Sequence, residues 1–400
     1  MSKTVMYKNS LYSNKQIDFT HQPMFFGDGK NTQRFDVMKY EWYDKSNNDQ
    51  QGNDWTWDEV TISKDIHNHE TKADEGKRHI IKTGLQRAIF LDSINGRGPA
   101  FMFGQVATIP EVEANIFTWN HFEVNKHSRT YTKHLRALYK HPDVVFDESF
   151  IIPELTEVSD SVSSVYNMCY MDVIEFIYKQ QRELKLTDND MERIKSSFLM
   201  AWIEVNALEG VRFYPFFASI WGMHKTENIM AELTEDLIFI CRDENEHLAL
   251  TQYTLALMKR KKEEGFYDVF RKLLLQIKER FYQIYEEEKR YVKYLFSKGS
   301  YLGMNEHILI DYINFIIVQR MRAIGIEPDA NKLDGKLVLK HPIKWVEQYI
   351  HADLEERRPQ QQNVLNYVTN GVNHDVDDHT KLESVRKYLK DLIKEKNENN

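Results

Sequence analysis

The chain has 400 residues, with 61 acidic against 53 basic side chains and a formal net charge of −8, a balance that argues against a broad nucleic-acid-binding face. Only 16 glycines and 9 prolines occur, which favours long helices over a turn-rich all-β chain. Two cysteines, Cys169 and Cys241, lack Cys-x-x-Cys spacing, and no run approaches 18 apolar residues; the sequence reads as a cytoplasmic protein with reduced thiols and no membrane span.

Residues 1–22 are polar and read as a flexible lead-in, without the apolar core of a signal peptide. Residues 24–78 are mixed, with Trp55 and Trp57 beside the turn-forming run NNDQQGND. The tract from Asp65 to Glu70, which holds His67 and His69, reads as a solvated polar loop rather than a metal tract. Over 80–94, Ile81, Leu85, Ala88 and Ile89 mark one apolar helical face, which Asp92 continues. Further helices are expected over 112–139, 160–184, 188–221, 227–261, 265–296, 304–323 and 342–351. After Arg358 the chain is polar, and Leu382, Val385, Leu389 and Leu392 form a narrow stripe that suits partner docking or a frayed terminal helix. The expected organisation is all-α: a helical domain over 23–358 between flexible segments 1–22 and 359–400.

Several acids in these helices stand where charge is expensive. Asp92 lies near a helix C-terminus, where a carboxylate opposes the dipole, and on the apolar face. Glu209 has Trp202, Val205, Phe213 and Phe216 as its neighbours at helical spacing. Such an acid is either paired with a buried arginine or bound to metal. Glu244 and His247 form a Glu-x-x-His pair, one turn apart on one helix face.

Together with Glu123 and His127 these residues make a two-metal inventory: Asp92, Glu123, His127, Glu209, Glu244 and His247. Carboxylates and two histidines spread over four helices are what a di-iron or di-manganese bundle uses. Four carboxylates and two neutral imidazoles total −4, which two divalent ions cancel. Oxygen-rich ligation favours iron or manganese over zinc. Tyr131 lies one turn beyond His127, placed for oxidation to a radical. Pro215 removes a backbone donor in the Glu209 helix and frees the Val211 carbonyl, so either a distortion beside the site or a packing kink is expected.

At these residues the chain resembles the small (beta) subunit of class I ribonucleotide reductase, of bacterial and bacteriophage type. The matching stretches are FLDSINGRGP (90–99), KHSRTYTKHLRALYKHPDVVFDE (126–148), VNALEGVRFY (205–214) and CRDENEHL (241–248). MFFGDG near Met24 and HPIKWVEQYI (341–350) match more weakly. The resemblance implies a ferritin-like helical bundle with additional helices, two iron ions per chain (or manganese) and activation by O2. Asp92, Glu123 and His127 would hold one metal; Glu209, Glu244 and His247 would hold the other, with glutamate bridging. Tyr131 would carry a stable radical, shielded by Phe213, Phe217 and Ile240. Trp55, Asp243 and Tyr367 would pass the oxidising equivalent to a large (alpha) subunit, which reduces ribonucleotides to deoxyribonucleotides. The same resemblance implies a homodimer and a cytoplasmic setting, the host's if the gene is a phage's.

Two features depart from the family pattern. Glu123 and His127 are four residues apart where the family has three, and a π-bulge would absorb the extra residue. The chain also ends Lys-Asn-Glu-Asn-Asn instead of in an acidic and apolar docking peptide, so the C-terminal stripe is the candidate dock. A ferritin-like storage protein or a carboxylate-bridged oxygenase would use similar ligands. A helical interaction protein would place the same acids in surface ion pairs.

Overall fold

The structure is a computed structural model that describes residues 11–12 and 16–352. The helices of the described residues lie in the first of two units, Met1–Ile350. They are α1 (Glu41–Gly52), α2 (Ser63–Thr71), α3 (Glu75–Asn95), α4 (Pro110–Phe122), α5 (Ser128–Leu138), α6 (Pro142–Ser149) and α7 (Pro153–Gln181). There follow α8 (Asp188–Ala207), α9 (Tyr214–Glu227), α10 (Ala231–Arg260), α11 (Tyr267–Leu295), α12 (Glu306–Ala323) and the single turn α13 (Glu347–Ile350). Among the described residues the only β pairing is two isolated bridges, Phe25 with Ala107 and Tyr301 with Met304. Tyr367 and the stripe from Leu382 to Leu392 lie outside the described residues.

Local chemistry explains where the helices start. Proline opens α4, α6 and α7, where its missing N–H is no loss. Thr187 and Asp190 form a reciprocal capping box on α8, and Asp74 and Asn305 cap α3 and α12. Along α7, Leu155, Val158, Val162, Tyr166, Cys169, Val173 and Phe176 are buried at helical spacing, and this face packs on α8 and α3. Both cysteines are free and buried.

Two of the expected long helices are interrupted. The segment 112–139 is α4 and α5 joined by one π-helical turn, Glu123–His127. The segment 188–221 is α8 and α9 joined by a second π-turn, Leu208–Arg212. Pro215 sits in the first turn of α9, so the distortion lies just before it, around the residue whose carbonyl it frees. A third π-turn, Ala100–Gly104, leads towards α4. Expected helix 342–351 shrinks to a 3-10 turn and α13, whereas α1 and α6 were not marked by a clear apolar period.

The tract Asp65–Glu70 corrects the reading of a solvated loop. It belongs to α2, with Asp65 and His69 buried. The Asp65 carboxylate accepts the Leu233 N–H at the start of α10, at 2.6 Å. In return the Glu232 carboxylate accepts the Lys64 and Asp65 N–H groups at 2.9 and 3.0 Å, at the start of α2. Each helix therefore supplies the acid that satisfies the other's unpaired N-terminal donors.

A second buried polar assembly ties α3, α8 and α11 to the π-turn at 208–212. Arg212 donates to Glu204 (2.9 Å), Glu287 (2.8 Å) and Glu288 (3.0 Å), all buried. Arg280 bonds Glu204 at 2.6 Å, and Arg87 bonds Glu288 while lying 3.7 Å above the Tyr291 ring. Three guanidinium groups thus balance three carboxylates, and the burial is electrically neutral.

The α2–α10 link generates a stability prediction. Asp65→Ala should lower the free energy of unfolding by about 1–2 kcal/mol, and Asp65→Asn, which keeps an acceptor, by less. Denaturant unfolding checks this; equal midpoints for the parent and the alanine variant would contradict the capping role.

Candidate metal centre

Four helical stretches converge on one interior point. Asp92 comes from the last turn of α3, and Glu123 and His127 from the π-turn before α5. Glu209 comes from the π-turn after α8, and Glu244 and His247 from the middle of α10. All six are fully buried, with 0% of their surface exposed. Asp92, Glu123, His127 and Glu244 place one ligand atom each within 4.8 Å of one another, and so do Glu123, Glu209, Glu244 and His247. Glu123 and Glu244 belong to both groups, which makes them the shared pair.

The π-turn is what puts Glu123 there. The extra residue between Glu123 and His127 is taken up by the wider π-turn, which keeps both side chains on the cluster-facing side. Glu123 Oε2 lies 3.6 Å from His127 Nδ1, and its Oε1 lies 3.1 Å from His247 Nδ1. Val124, at the family's ordinary spacing, points outward and is 45% exposed.

The remaining geometry is that of donors aimed at a common space. His127 Nδ1 stands 3.4 Å from Glu244 and 4.0 Å from Asp92; His247 Nδ1 stands 3.3 Å from Glu244 and 3.8 Å from Glu209. Both Asp92 oxygens, Glu123 Oε2, Glu209 Oε2, Glu244 Oε1 and His127 Nδ1 are buried with no hydrogen-bond partner. Orphaned acceptors of this density are far too costly for a core unless cations or protons fill the space. Iron or manganese fits the donor set, which is mostly carboxylate oxygen with two imidazoles. Glu204 makes the contrast: it lies five residues before Glu209 and is equally buried, but meets Arg212 and Arg280.

The electrostatics show how strongly the site asks for positive charge. Burial and then the charge of Glu123 push the Asp92 carboxyl well above its usual range, and burial and then Glu209 do the same to Glu244. For Glu123 burial is outweighed by the neighbouring His127 and His247 imidazoles, and its pKa falls below the ordinary carboxylate range. Burial opposes charge on His127, yet the bond to Asp243 and the nearby Glu123 carboxylate raise it to about 10; His247 is raised by Glu123, Glu209 and Glu244. Without metal the cluster therefore collects protons.

Around the six stands a ring of groups that orient them. Because a carboxylate only accepts, the His127 Nε2–H donates to Asp243 at 3.1 Å, leaving Nδ1 to face the cluster. The same Asp243 oxygen accepts the Trp55 indole N–H at 2.7 Å. Trp119 donates to Glu123 at 3.0 Å, Asn95 donates to Glu209 at 2.6 Å, and Tyr166 donates to Asn95 at 2.9 Å. Sequence reading missed Asn95, Trp119 and Tyr166 as functional groups. Asn95 was findable, since it follows Asp92 by three residues on one helix; Tyr166 comes from distant α7 and left no local signal.

Tyr131 is fully buried on α5, and its hydroxyl has no hydrogen-bond partner. Burial, then the charges of Asp92 and Glu244, raise its pKa well above that of free tyrosine. Its ring lies 6.5 Å from that of Phe216; Phe216 lies 6.2 Å from Phe217, which stacks on Phe213 at 5.8 Å. Ile240 is buried on α10, one turn before Glu244. Phe216, read in the sequence only as part of the Glu209 stripe, is thus the phenylalanine nearest the phenol. Gly84 of α3 makes room for it, because a Cβ there would stand 1.9 Å from the Phe216 ring.

Comparisons with known proteins agree with this geometry. The family described as ribonucleotide reductase, small chain, matches residues 33–331. The chain is 31% identical over 387 residues to a ribonucleoside-diphosphate reductase subunit beta of Buchnera aphidicola subsp. Baizongia pistaciae, covering 94% of this chain and 98% of that one. It is 27% identical over 397 residues to the subunit beta of Enterobacteria phage T4, covering 95% and 100%. Its fold resembles a solved ribonucleotide reductase R2 subunit from Clostridium botulinum, with a TM-score of 0.69 at 21% identity over 86% of this chain and 99% of that one. A ferritin-like bundle, a buried carboxylate–histidine cluster and matches along most of its length place this chain in the ribonucleotide reductase small-chain family.

Proposed function

We propose that this chain generates and stores a tyrosyl radical at Tyr131, and delivers its oxidising equivalent to the large subunit of a ribonucleoside-diphosphate reductase. The observation that carries the reading is the cluster of six buried ligand-type side chains around orphaned acceptor atoms, with a buried phenol under its field. Asp92, Glu123 and His127 would hold one metal ion and Glu209, Glu244 and His247 the other, with Glu123 and Glu244 shared. An iron pair, or manganese, supplies there the O2-derived oxidising power that no side chain has.

The chain's own residues then have distinct tasks. Tyr131 gives up one electron and its phenolic proton. Phe213, Phe216, Phe217 and Ile240 keep water from the phenoxyl, the usual service of a closed site. Asp243 orients His127 and joins it to Trp55 through one shared oxygen. Tyr367, outside the described residues, completes the proposed route to the partner subunit, which holds the nucleotide. This chain by itself reduces no nucleotide.

We further propose a homodimer, as the sequence resemblance implies, for which the surface offers a suitable patch. Met168, Met171, Ile174 and Tyr178 form an exposed apolar stripe on α7, and Phe101 and Phe117 are exposed as well. Phe101 lies 6.3 Å from the Tyr170 ring, at the edge of that stripe.

Tyr131→Phe should leave iron loading intact and abolish the tyrosyl signal in a low-temperature EPR spectrum taken after ferrous iron and O2 are added. A signal of unchanged size in that variant would refute the assignment. Metal binding should also release protons. The Asp92 and Glu244 carboxyls and both imidazoles are driven towards their protonated forms in the empty cluster, so filling it with two divalent ions should expel protons. Affinity should accordingly weaken as pH falls, and an indicator dye in weak buffer reads the release directly. Metal uptake without proton release would contradict this electrostatic account.

A further inference from the structure

Lys126 lies inside the π-turn, between Glu123 and His127, and its side chain is 6% exposed. It does not reach into the carboxylate cluster. Its ammonium instead bonds the Trp55 carbonyl oxygen, and the Asp54 carboxylate at 2.5 Å. It also stands 6.0 Å from the Trp55 ring centroid and 5.0 Å from that of Phe122. A lysine with this little exposure needs a reason to be kept, because burying its charge is unfavourable.

Trp55 is 1% exposed and packed between Phe239, stacked at 5.3 Å, and the His127 ring at 6.3 Å. The charged groups around it pull in opposite directions. Asp243 accepts its N–H at 2.7 Å and favours a positive indole. Lys126 over the ring disfavours one, and so does Arg242, which bonds the Asn53 carbonyl and lies 3.3 Å from Asp243. Arg242 is partly offset by its own ion pair with Asp243 and is 23% exposed. Lys126 is the better buried cation and the one whose partner, Asp54, is turned to solvent at 61% exposure. Its charge is therefore the less screened of the two at the indole.

We propose that Lys126 sets the oxidation potential of Trp55: its ammonium raises the energy of the oxidised indole against the pull of Asp243, and so keeps the oxidising equivalent at Tyr131. The inference rests on the relay reading of Trp55 given above. In the forward step one electron passes from the indole to the Tyr131 phenoxyl. The phenoxyl takes up that electron and, in net balance, one solvent proton to become phenol, while the indole is left one electron short. An ammonium facing the ring destabilises that product through the same interaction that a cation ordinarily finds attractive with a neutral ring. Lys126 is thus a positioning and potential-setting residue rather than a ligand.

The test uses the full chain with zinc in the carboxylate site, so that the metals take no part in electron transfer. A flash-generated one-electron oxidant in solution oxidises tryptophan, and the Trp55 contribution is the difference in indolyl radical yield against Trp55→Phe. Lys126→Met should raise that contribution roughly fivefold, and Lys126→Gln, which keeps donors without charge, should raise it similarly. Lys126→Arg should stay near the parent. Equal Trp55 yields in parent and Lys126→Met would overturn the proposal, as would a Lys126→Arg protein that behaves like the methionine variant. Hydrogen exchange at residues 53–57 checks that the neutral variants stay folded there; if Lys126→Met loosens this loop, the decision passes to Lys126→Gln against Lys126→Arg. Failure of the relay reading would register differently, as nucleotide reduction that survives loss of Trp55 with the partner present.

Discussion

The placement of four carboxylates and two imidazoles in a fully buried core is the constraint around which this protein is built. The interior answers buried charge in two ways. Glu204, Glu287 and Glu288 meet Arg87, Arg212 and Arg280, so their charges are cancelled permanently by other side chains. Asp92, Glu123, Glu209 and Glu244 meet no guanidinium among the described residues; they face each other and two histidines. Cancellation there has to come from outside the chain, as protons or as metal ions. The two solutions lie back to back, joined by the short turn that holds both Glu209 and Arg212.

That turn is one of three π-helical turns among the described residues, and two of them carry candidate ligands. A π-turn forfeits regular helix geometry and persists where something else holds it. The turn at 208–212 is held by Arg212 on one side and by Arg320, which donates to the Gly210 carbonyl at 3.1 Å, on the other. The turn at 123–127 is held by the bond from Trp119 to Glu123 and by the reach of Lys126 to the Trp55 segment. In both cases the groups that fix the backbone are separate from those that face the cluster. Glu123 and Glu209 thus project from braced turns with one oxygen held by Trp119 or Asn95 and the other left for a ligand.

Much of the fold and most of the site were legible in the sequence because they obey short-range rules. Apolar periodicity gave the long helices, and the acids betrayed themselves by interrupting it, as at Glu209 between Trp202 and Phe216. The i,i+4 spacing of Glu123 and His127 implied a wider turn, and one is present. What escaped reading depends on contacts between distant segments. Asp65 looks solvated until α10 presents the Leu233 N–H to it. Tyr166 looks like one more core aromatic on α7 until Asn95 meets its hydroxyl. Phe216 and Gly84 stand 132 residues apart, and neither signals alone that one ring fills the other's missing side chain.

The most direct test of the centre is the metal content of the full chain after anaerobic loading with ferrous iron and removal of the excess. The account predicts two iron ions per chain, falling to one or fewer when Glu209 or His247 is replaced by alanine. A parent protein that retains no iron, or alanine variants that still hold the full complement, would contradict it.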